Sequence, residues 1–189
     1  MDFNPTIDRV RVVTDSAQNI VLNPNNGAVT FNMSNLIYGA ADPNANTNPS
    51  IIDSAYKNNI AGTGAPTTQY AIDYGADILT TLANNAGTLT AIGALGVNTD
   101  VFTGFDIFSA TATSNAAYAL LTPVGGTAGL YSINLGTGSA TLLGGLGTTL
   151  PQVYSLAIVP TQVPELGSVA LLLGASAFGV SLMRRRSRK

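Results

Sequence analysis

Nine aspartates are the only acids among the first 160 residues, and they are the side chains best able to do chemistry. The chain has no histidine and no cysteine, which excludes a Ser-His-Asp triad, a cysteine nucleophile and a zinc site with such ligands. Glycoside hydrolysis needs two carboxylates, which could still come from Asp73, Asp77, Asp100 and Asp106. All four fall in predicted turns or strand ends, where aspartate is common, so we expect structural roles.

A loop resembling a calcium site is the second candidate. Asp42, Asn44 and Asn46 alternate like the first oxygen ligands of an EF-hand, and Asp53 takes the twelfth position. However, Thr47 stands where that loop needs glycine, and its prolines, asparagines and aspartates form turns in their own right. We therefore expect a turn-rich connector, with no metal and no other cofactor.

Basic side chains are scarce in the body of the chain. Before residue 164, Arg9, Arg11 and Lys57 stand against nine aspartates, which gives 3 − 9, or −6. A body with this net charge lacks a stripe of basic residues that could neutralise phosphates, so we do not expect a nucleic-acid partner. The run Asp8-Arg9-Val10-Arg11 could bind an acidic partner, but an exposed cross-strand ion pair is the interpretation we favour.

The C-terminal segment differs sharply in character. Residues 166–183 carry no charge, and as a helix they would span about 27 Å, close to the roughly 30 Å of a bilayer core. Five basic residues follow and fit the positive-inside rule: Arg184, Arg185, Arg186, Arg188 and Lys189. The pattern predicts a transmembrane helix at 166–183 and a basic cytoplasmic tail at 184–189, with a buried core helix or a frayed hydrophobic end as the alternative.

A short motif precedes this helix, in the linker 161–165. Val163, Pro164 and Glu165, followed by the apolar helix and the arginine cluster, resemble the PEP-CTERM sorting signal, with Leu166 in place of the family's second proline. The resemblance implies an exosortase partner and export across the inner membrane of a Gram-negative-type bacterium. It further implies membrane anchoring, processing to the cell surface or matrix, and extracellular polysaccharide as a partner. An unprocessed tail anchor is the alternative.

Residues 1–160 show the pattern of β structure. Short apolar stretches alternate with polar residues and are separated by Gly, Asn, Asp and Pro. Four strands are predicted from Gly104 to Gly144, and a less regular copy runs from Ile51 to Gly93, although Asn48 to Asn59 could carry a helical turn or two. Similar turns predict tight hairpins with positive φ at Gly27, Gly87 and Gly138.

These repeated units of about 40 residues have the size of propeller blades. We count about three such units, and Gln152 to Pro160 opens a further one, whereas a ring needs roughly four to eight. We therefore predict an all-β, β-propeller-like body at 1–160, built from four-stranded antiparallel units in an incomplete ring. Because no export signal follows Met1, we expect the natural chain to begin further upstream.

Four segments of the body resemble a bacterial family known as domain of unknown function 4394. They are Asp2 to Val29, Ala41 to Asn59, Thr68 to Thr81 and Leu130 to Gly144. This resemblance covers most of 1–160 and implies a fold and a location, not a mechanism. We predict an exported, non-enzymatic protein of the cell envelope or matrix. The alternative is an extracytoplasmic, Asp-dependent glycan hydrolase or lyase, with or without calcium.

Overall fold

Strands form all the regular secondary structure of the described residues. The computed structural model describes residues 1–60, 66–147 and 154–158, and these ranges contain no helix, which confirms the all-β prediction. The strands are β1 (Asp2–Asn4), β2 (Arg9–Val13), β3 (Asn19–Leu22), β4 (Val29–Asn32), β5 (Ile37–Tyr38), β6 (Ile51–Tyr56), β7 (Gln69–Asp73), β8 (Ile78–Ala83), β9 (Thr88–Ala94), β10 (Gly104–Thr111), β11 (Ser114–Leu121), β12 (Gly129–Ile133) and β13 (Ala140–Gly145).

The strands assemble into three sheets, which we number along the chain. Sheet 1 has the order β1-β2-β3-β4 and sheet 3 the order β10-β11-β12-β13, each with neighbours antiparallel. Sheet 2 has the order β5-β9-β8-β7-β6. The copies predicted at Ile51–Gly93 and Gly104–Gly144 therefore correspond to β6–β9 and β10–β13.

Sheet 2 departs from the sequence prediction in two ways. The segment expected to carry a helical turn contains β6, so that expectation was wrong, and Ile51 and Tyr56 are fully buried within it. The predicted four strands are also joined by β5, which pairs parallel to β9. Ile37 and Gly39 donate to the carbonyls of Gly87 and Leu89, each at 3.0 Å, so β5 covers polar groups that an edge strand would leave unpaired.

The same hairpin closes each sheet. Gly27, Gly87 and Gly138 have φ of +71°, +69° and +83°, which confirms the predicted left-handed turns. In all three, the glycine N–H donates to the carbonyl four residues earlier, at 2.8–2.9 Å. A Cβ at Gly87 would lie 2.4 Å from the Asn35 carbonyl oxygen, and one at Gly138 would lie 2.3 Å from that of Gly93. The closing turns of sheets 2 and 3 are thus each packed against a backbone carbonyl from an earlier part of the chain.

Two apolar clusters hold the sheets together. The larger joins sheets 2 and 3 through residues such as Ile72, Leu79 and Ile107, all fully buried. The smaller consists mainly of sheet 2 residues, with Val13 as its buried member from sheet 1. Strand β7 contributes to both, because successive side chains point to opposite faces: Ile72 lies in the larger cluster and Ala71 in the smaller.

One aspartate on the first antiparallel strand of each unit links that unit to a later segment of the chain; we call Asp2, Asp53 and Asp106 the clasp aspartates. In each, Oδ1 accepts the N–H of the next residue, at 2.6–2.8 Å. The other oxygen, Oδ2, accepts an N–H from 52 to 54 residues further along the chain, at 2.6–2.9 Å. These distant donors are Tyr56 in β6, Phe105 in β10 and Ile158.

The third clasp concerns residues 154–158, within the strand predicted at Gln152–Pro160. This segment makes no assigned strand in the described residues. It nevertheless passes directly beside β10, because a Cβ at Gly104 would lie 2.4 Å from the Ser155 carbonyl carbon. The ring of Tyr154 also meets that of Phe102 edge to face, with centroids 5.2 Å apart. Asp106 of β10 therefore bonds this segment as Asp53 of β6 bonds β10.

Candidate functional site

A buried arginine marks the side of sheet 1 that faces sheet 2. Arg11 lies in the middle of β2, paired with Asp2 of β1 and Val21 of β3, and only 2% of it is exposed. Alternation places it on the same face of the sheet as Val13, which belongs to the smaller apolar cluster. The predicted exposed ion pair at this run was wrong: in the described part of the chain, neither Arg9 nor Arg11 forms a salt bridge.

The Arg11 guanidinium is held by neutral oxygens. Nε donates to the Tyr56 hydroxyl at 3.2 Å, and Nη1 donates to Asn19 Oδ1 at 2.6 Å and to the Asn84 carbonyl at 2.9 Å. Nη2 donates to Asn85 Oδ1 at 3.1 Å. These bonds use four of the five guanidinium N–H groups, and within the described ranges the fifth has no acceptor. Asp2 lies opposite Arg11 in the sheet, but its carboxylate accepts the N–H groups of Phe3 and Tyr56, and in the described ranges no carboxylate bonds the guanidinium directly.

Tyr56 is the centre of the polar contacts on the sheet 2 side. Its fully buried hydroxyl also receives a bond from Asn4 Nδ2 at 3.4 Å and donates to Asn84 Oδ1 at 3.2 Å. Burial raises the pKa of Tyr56, although the charge of Arg11 and its hydrogen bond act in the opposite direction. The hydroxyl therefore stays protonated at neutral pH and does not neutralise Arg11.

A cleft of about 450 Å³ opens beside this network. Arg9, Arg11 and Asn85 line it together with Asp8, and its apolar wall comes from Ile7, Val21, Phe31 and Met33. The register explains this composition, because Arg11 pairs with Val21 and Val21 pairs with Phe31, which sets the three side chains in one cross-strand row. Phe31 is 55% exposed, so its ring is accessible from solvent.

The four aspartates considered for glycoside hydrolysis serve separate backbone groups. Asp73 caps the turn at Gly75 and also accepts the Tyr38 hydroxyl at 2.5 Å. Asp77 and Asp100 each accept a backbone N–H at 2.7 Å, from Thr99 and Val101 respectively. Asp106 is a clasp aspartate. In the described residues no hydrogen bond joins two of these carboxylates; Asp77 and Asp100 are linked only through Thr99, which bonds the Asp77 carboxylate and the Asp100 carbonyl.

Asp2 is the carboxyl group whose protonation is most altered by the fold. Burial raises the pKa of Asp2 to about 6, and the nearby charge of Asp106 adds to this shift. The N–H groups of Tyr56 and Phe3 oppose the shift by hydrogen bonding to the ionised form. Because both oxygens already accept backbone donors, Asp2 is a structural acid whose charge state responds to mildly acidic pH.

The residues of the calcium-like loop are distributed between a turn and a strand. Asp42 accepts from Asn44 at 2.9 and 3.1 Å and from the Ala91 N–H at 2.7 Å. Partial burial acts to raise the pKa of Asp42, but these hydrogen bonds lower it below its ordinary value. Asn46 adopts φ +67° in the turn, whereas Asp53 lies in β6 as a clasp aspartate. Among the described residues, no three acidic side chains are grouped to hold a metal ion.

The sorting residues lie outside the described residues. This applies to Val163, Pro164 and Glu165, to the predicted helix 166–183, and to the basic residues at 184–189. In the ranges that are described, no helix is long and apolar enough to cross a membrane. Export, anchoring and processing therefore remain predictions from the sequence.

Sequence reasoning missed both the burial of Arg11 and the clasps. The clasp signal was present, since each unit opens with a short apolar stretch containing one aspartate, in "DFN", "IID" and "GFD". The sequence contains no comparable pattern that predicts the partners of Arg11. Asn84 and Asn85 are more than 70 residues away, and their residue type predicts only a turn.

Comparison with known proteins places the body in a family. A family model described as Domain of unknown function (DUF4394) matches residues 1–157, and the chain belongs to this family. No curated protein and no solved structure matches the chain. The matched range contains the thirteen strands of the described residues, the Arg11 network and the three clasp aspartates, whereas the predicted sorting motif lies beyond it.

Proposed function

We propose, with membership of this family as the premise, that the chain is an exported, non-enzymatic, β-propeller-like protein of the cell envelope or extracellular matrix. Its C-terminal PEP-CTERM-like signal delivers it across the inner membrane, and an exosortase processes it. The β body then acts as a rigid binding or scaffolding module, in contact with the membrane or with extracellular polysaccharide.

One observation carries the non-enzymatic assignment. Seven of the nine body aspartates accept at least one backbone N–H: Asp2, Asp42, Asp53, Asp73, Asp77, Asp100 and Asp106. With no histidine and no cysteine, aspartate would have to supply the acid and the base of a hydrolase. Carboxylates engaged by fixed backbone donors favour structure, since those bonds stabilise the ionised form and restrict proton transfer.

The repeated contacts between sheets support the propeller-like arrangement. Each clasp aspartate joins one unit to the first strand of the next, and the last one receives Ile158, where a further unit would begin. The closing hairpins of sheets 2 and 3 are also seated equivalently, at Gly87 and Gly138. Repetition of the same inter-unit contact is what radial packing of blades requires.

Export is tested by fractionating a Gram-negative host that makes the full-length chain and an exosortase. We expect the body to be sensitive to protease added outside the inner membrane. Replacing Arg184, Arg185 and Arg186 by glutamine should disturb this orientation, because the positive charges hold the tail in the cytoplasm. Replacing Glu165 by glutamine should leave orientation unchanged and slow processing. Arg9→Gln is the matched control, since it removes a positive charge from the body.

Two results would contradict this proposal. The first is a full-length chain recovered in the soluble cytoplasmic fraction, protected from external protease. The second is turnover of a glycan by the purified chain that is abolished when Asp73 or Asp106 is replaced by asparagine and is unaffected by Asp15→Asn.

A further inference from the structure

The cleft between sheets 1 and 2 concentrates positive charge on an otherwise acidic body. The body has three cations against nine aspartates, and two of those cations, Arg9 and Arg11, line this one cleft. Asp8 is the acid among the lining residues. The Arg9 guanidinium is occupied by the Asp8 carbonyl, a neutral acceptor, rather than by a carboxylate. The residues that line the cleft thus carry 2 − 1, or +1, a net charge opposite in sign to that of the body.

In the described residues, no carboxylate bonds the Arg11 guanidinium directly. It is almost fully buried, it is held by four neutral acceptors, and one of its N–H groups has no acceptor in the described structure. A carboxylate near this guanidinium would supply the missing acceptor and would offset the desolvation of the cation. The cleft is therefore better suited to an anion than to a neutral or cationic ligand.

The walls of the cleft restrict what else the anion can carry. The exposed ring of Phe31, beside Val21 and Met33, offers a flat apolar surface. The Asp8 carboxylate and the Asn85 amide at the polar wall can bond hydroxyl groups, and Asp8 would repel a ring that carries more than one carboxylate. A volume of about 450 Å³ accommodates one or two sugar rings.

We infer that this cleft binds a sugar acid, a saccharide unit that carries one carboxylate on a ring with an apolar face. Arg9 contacts the carboxylate from the rim, and Arg11 receives it through its remaining N–H. Phe31 packs against the ring, while Asp8 and Asn85 bind hydroxyls. This inference does not depend on how the chain is sorted, so a failure of the export experiment leaves it standing.

The test is calorimetric titration of the purified full-length chain with trigalacturonate, whose terminal ring is the sugar acid expected to enter the cleft. The matched probe is the same trisaccharide with its carboxylates converted to methyl esters, which keeps the rings and hydroxyls but removes the charge. We expect the acid to bind at least tenfold more tightly than the ester. Affinity should fall as salt concentration rises, because the contact is between opposite charges.

Substitutions at residues that line the cleft test whether the ligand binds there. Arg9→Gln should weaken binding of trigalacturonate at least tenfold, and Phe31→Ala about threefold, with circular dichroism and thermal unfolding unchanged. Lys57→Gln is the control: it also removes one positive charge, but Lys57 lies over the ring of Tyr70, a member of the cluster shared with sheet 3. It should change the affinity less than twofold.

Several outcomes would overturn the inference. One is equal binding of acid and ester, and another is no binding of either. A third is an equal loss from Lys57→Gln and Arg9→Gln, which would indicate attraction without a site. Finally, tighter binding of triglutamate than of trigalacturonate would assign the cleft to an acidic peptide instead.

Discussion

Sheet 2 is packed on both faces, and its two interfaces differ in chemistry. Toward sheet 3 it presents large apolar side chains, including Tyr70 and Ile72 of β7. Toward sheet 1, the same strand presents Gln69, Ala71 and Asp73, and the facing strand β2 supplies a buried arginine. One interface excludes water through apolar burial, while the other combines a smaller apolar cluster with a polar network beside a solvent-accessible cleft.

The difference indicates a division of roles. Apolar burial is non-directional and contributes roughly 25 cal/mol per Å², so the interface between sheets 2 and 3 supplies most of the cohesion. A buried polar network contributes little net stability but requires defined geometry. The interface between sheets 1 and 2 is therefore the place where a ligand could be recognised. Substitutions on either side of sheet 2 can separate these two roles.

The largest effect is expected in the interface between sheets 2 and 3. Ile107→Ala removes a fully buried side chain from the larger cluster and should lower the free energy of unfolding by about 3 kcal/mol. Urea denaturation of the full-length chain measures this loss. Leu142→Ala, at a side chain that is 57% exposed, is the control and should change stability by less than about 0.5 kcal/mol. Similar losses in both variants would contradict the assigned core.

The closing hairpins provide the second comparison. Gly27→Ala and Gly87→Ala both force alanine into positive φ, which costs about 1 kcal/mol. Only at Gly87 would the new Cβ also collide with the carbonyl oxygens of Asn35 and Ser34, whereas the space at Gly27 is open. We expect Gly87→Ala to lose about 2 kcal/mol more than Gly27→Ala in thermal unfolding. Equal losses would show that the hairpin of sheet 2 is not seated as described.

Arg11→Lys tests the polar interface, with a smaller effect. Lysine keeps the charge but offers three donors from one atom, so it cannot reach Tyr56, Asn19 and Asn85 together. We expect a loss of about 1.5 kcal/mol in urea denaturation. The matched variant Arg9→Lys should have almost no effect, because Arg9 bonds a single nearby carbonyl. Equal stability of Arg11→Lys and the parent chain would contradict the network.

The strands were predictable because their signals are local. Alternation, turn residues and positive-φ glycines identified the units at Ile51–Gly93 and Gly104–Gly144 and the hairpin at Gly27. The helical turn expected near Asn48 was wrong because β6 lacks the alternation of apolar and polar residues that identifies a half-buried strand. Its six residues are mostly buried on both faces. Tertiary packing, which the local sequence does not show, determines that this segment is a strand.

The candidate site was less predictable than the strands. The sequence singled out the Asp8-Arg9-Val10-Arg11 run, but it favoured an exposed pair where Arg11 is buried. Burial depends on sheet 2 covering that face of sheet 1, and the acceptors from Asn84 and Asn85 come from a distant hairpin. Likewise, Asp53 and Asp106 were considered for metal and catalysis, because the aspartate at the start of each unit is visible in the sequence whereas its backbone partner 52 residues further along is not.

The smallest expected effect concerns pH. The folded-state pKa of Asp2, about 6, lies above the ordinary value of 3.8, so the folded chain keeps a proton that the unfolded chain has lost. The contribution of Asp2 is thus most favourable below about pH 4 and declines as pH rises toward 6. The stability of the parent chain relative to Asp2→Asn should fall by about 1 kcal/mol over this window, after screening by solvent.

Chemical denaturation at pH 4, 5, 6 and 7 measures this difference. Asp15→Asn, at an exposed aspartate, is the control and should follow the parent chain at every pH. A parent chain that gains stability relative to Asp2→Asn as the pH rises would contradict the assigned burial of Asp2.

Native-state hydrogen exchange on the full-length chain tests the division of roles most directly, because it measures the opening free energy of each strand separately. We predict that amides of β7, β8, β10 and β11 exchange only through global unfolding, while those of β2 and β3 open at a lower free energy. Equal protection of β2 and β10, or earlier opening of β10, would contradict the claim that the sheet 2–sheet 3 interface supplies the cohesion of the molecule.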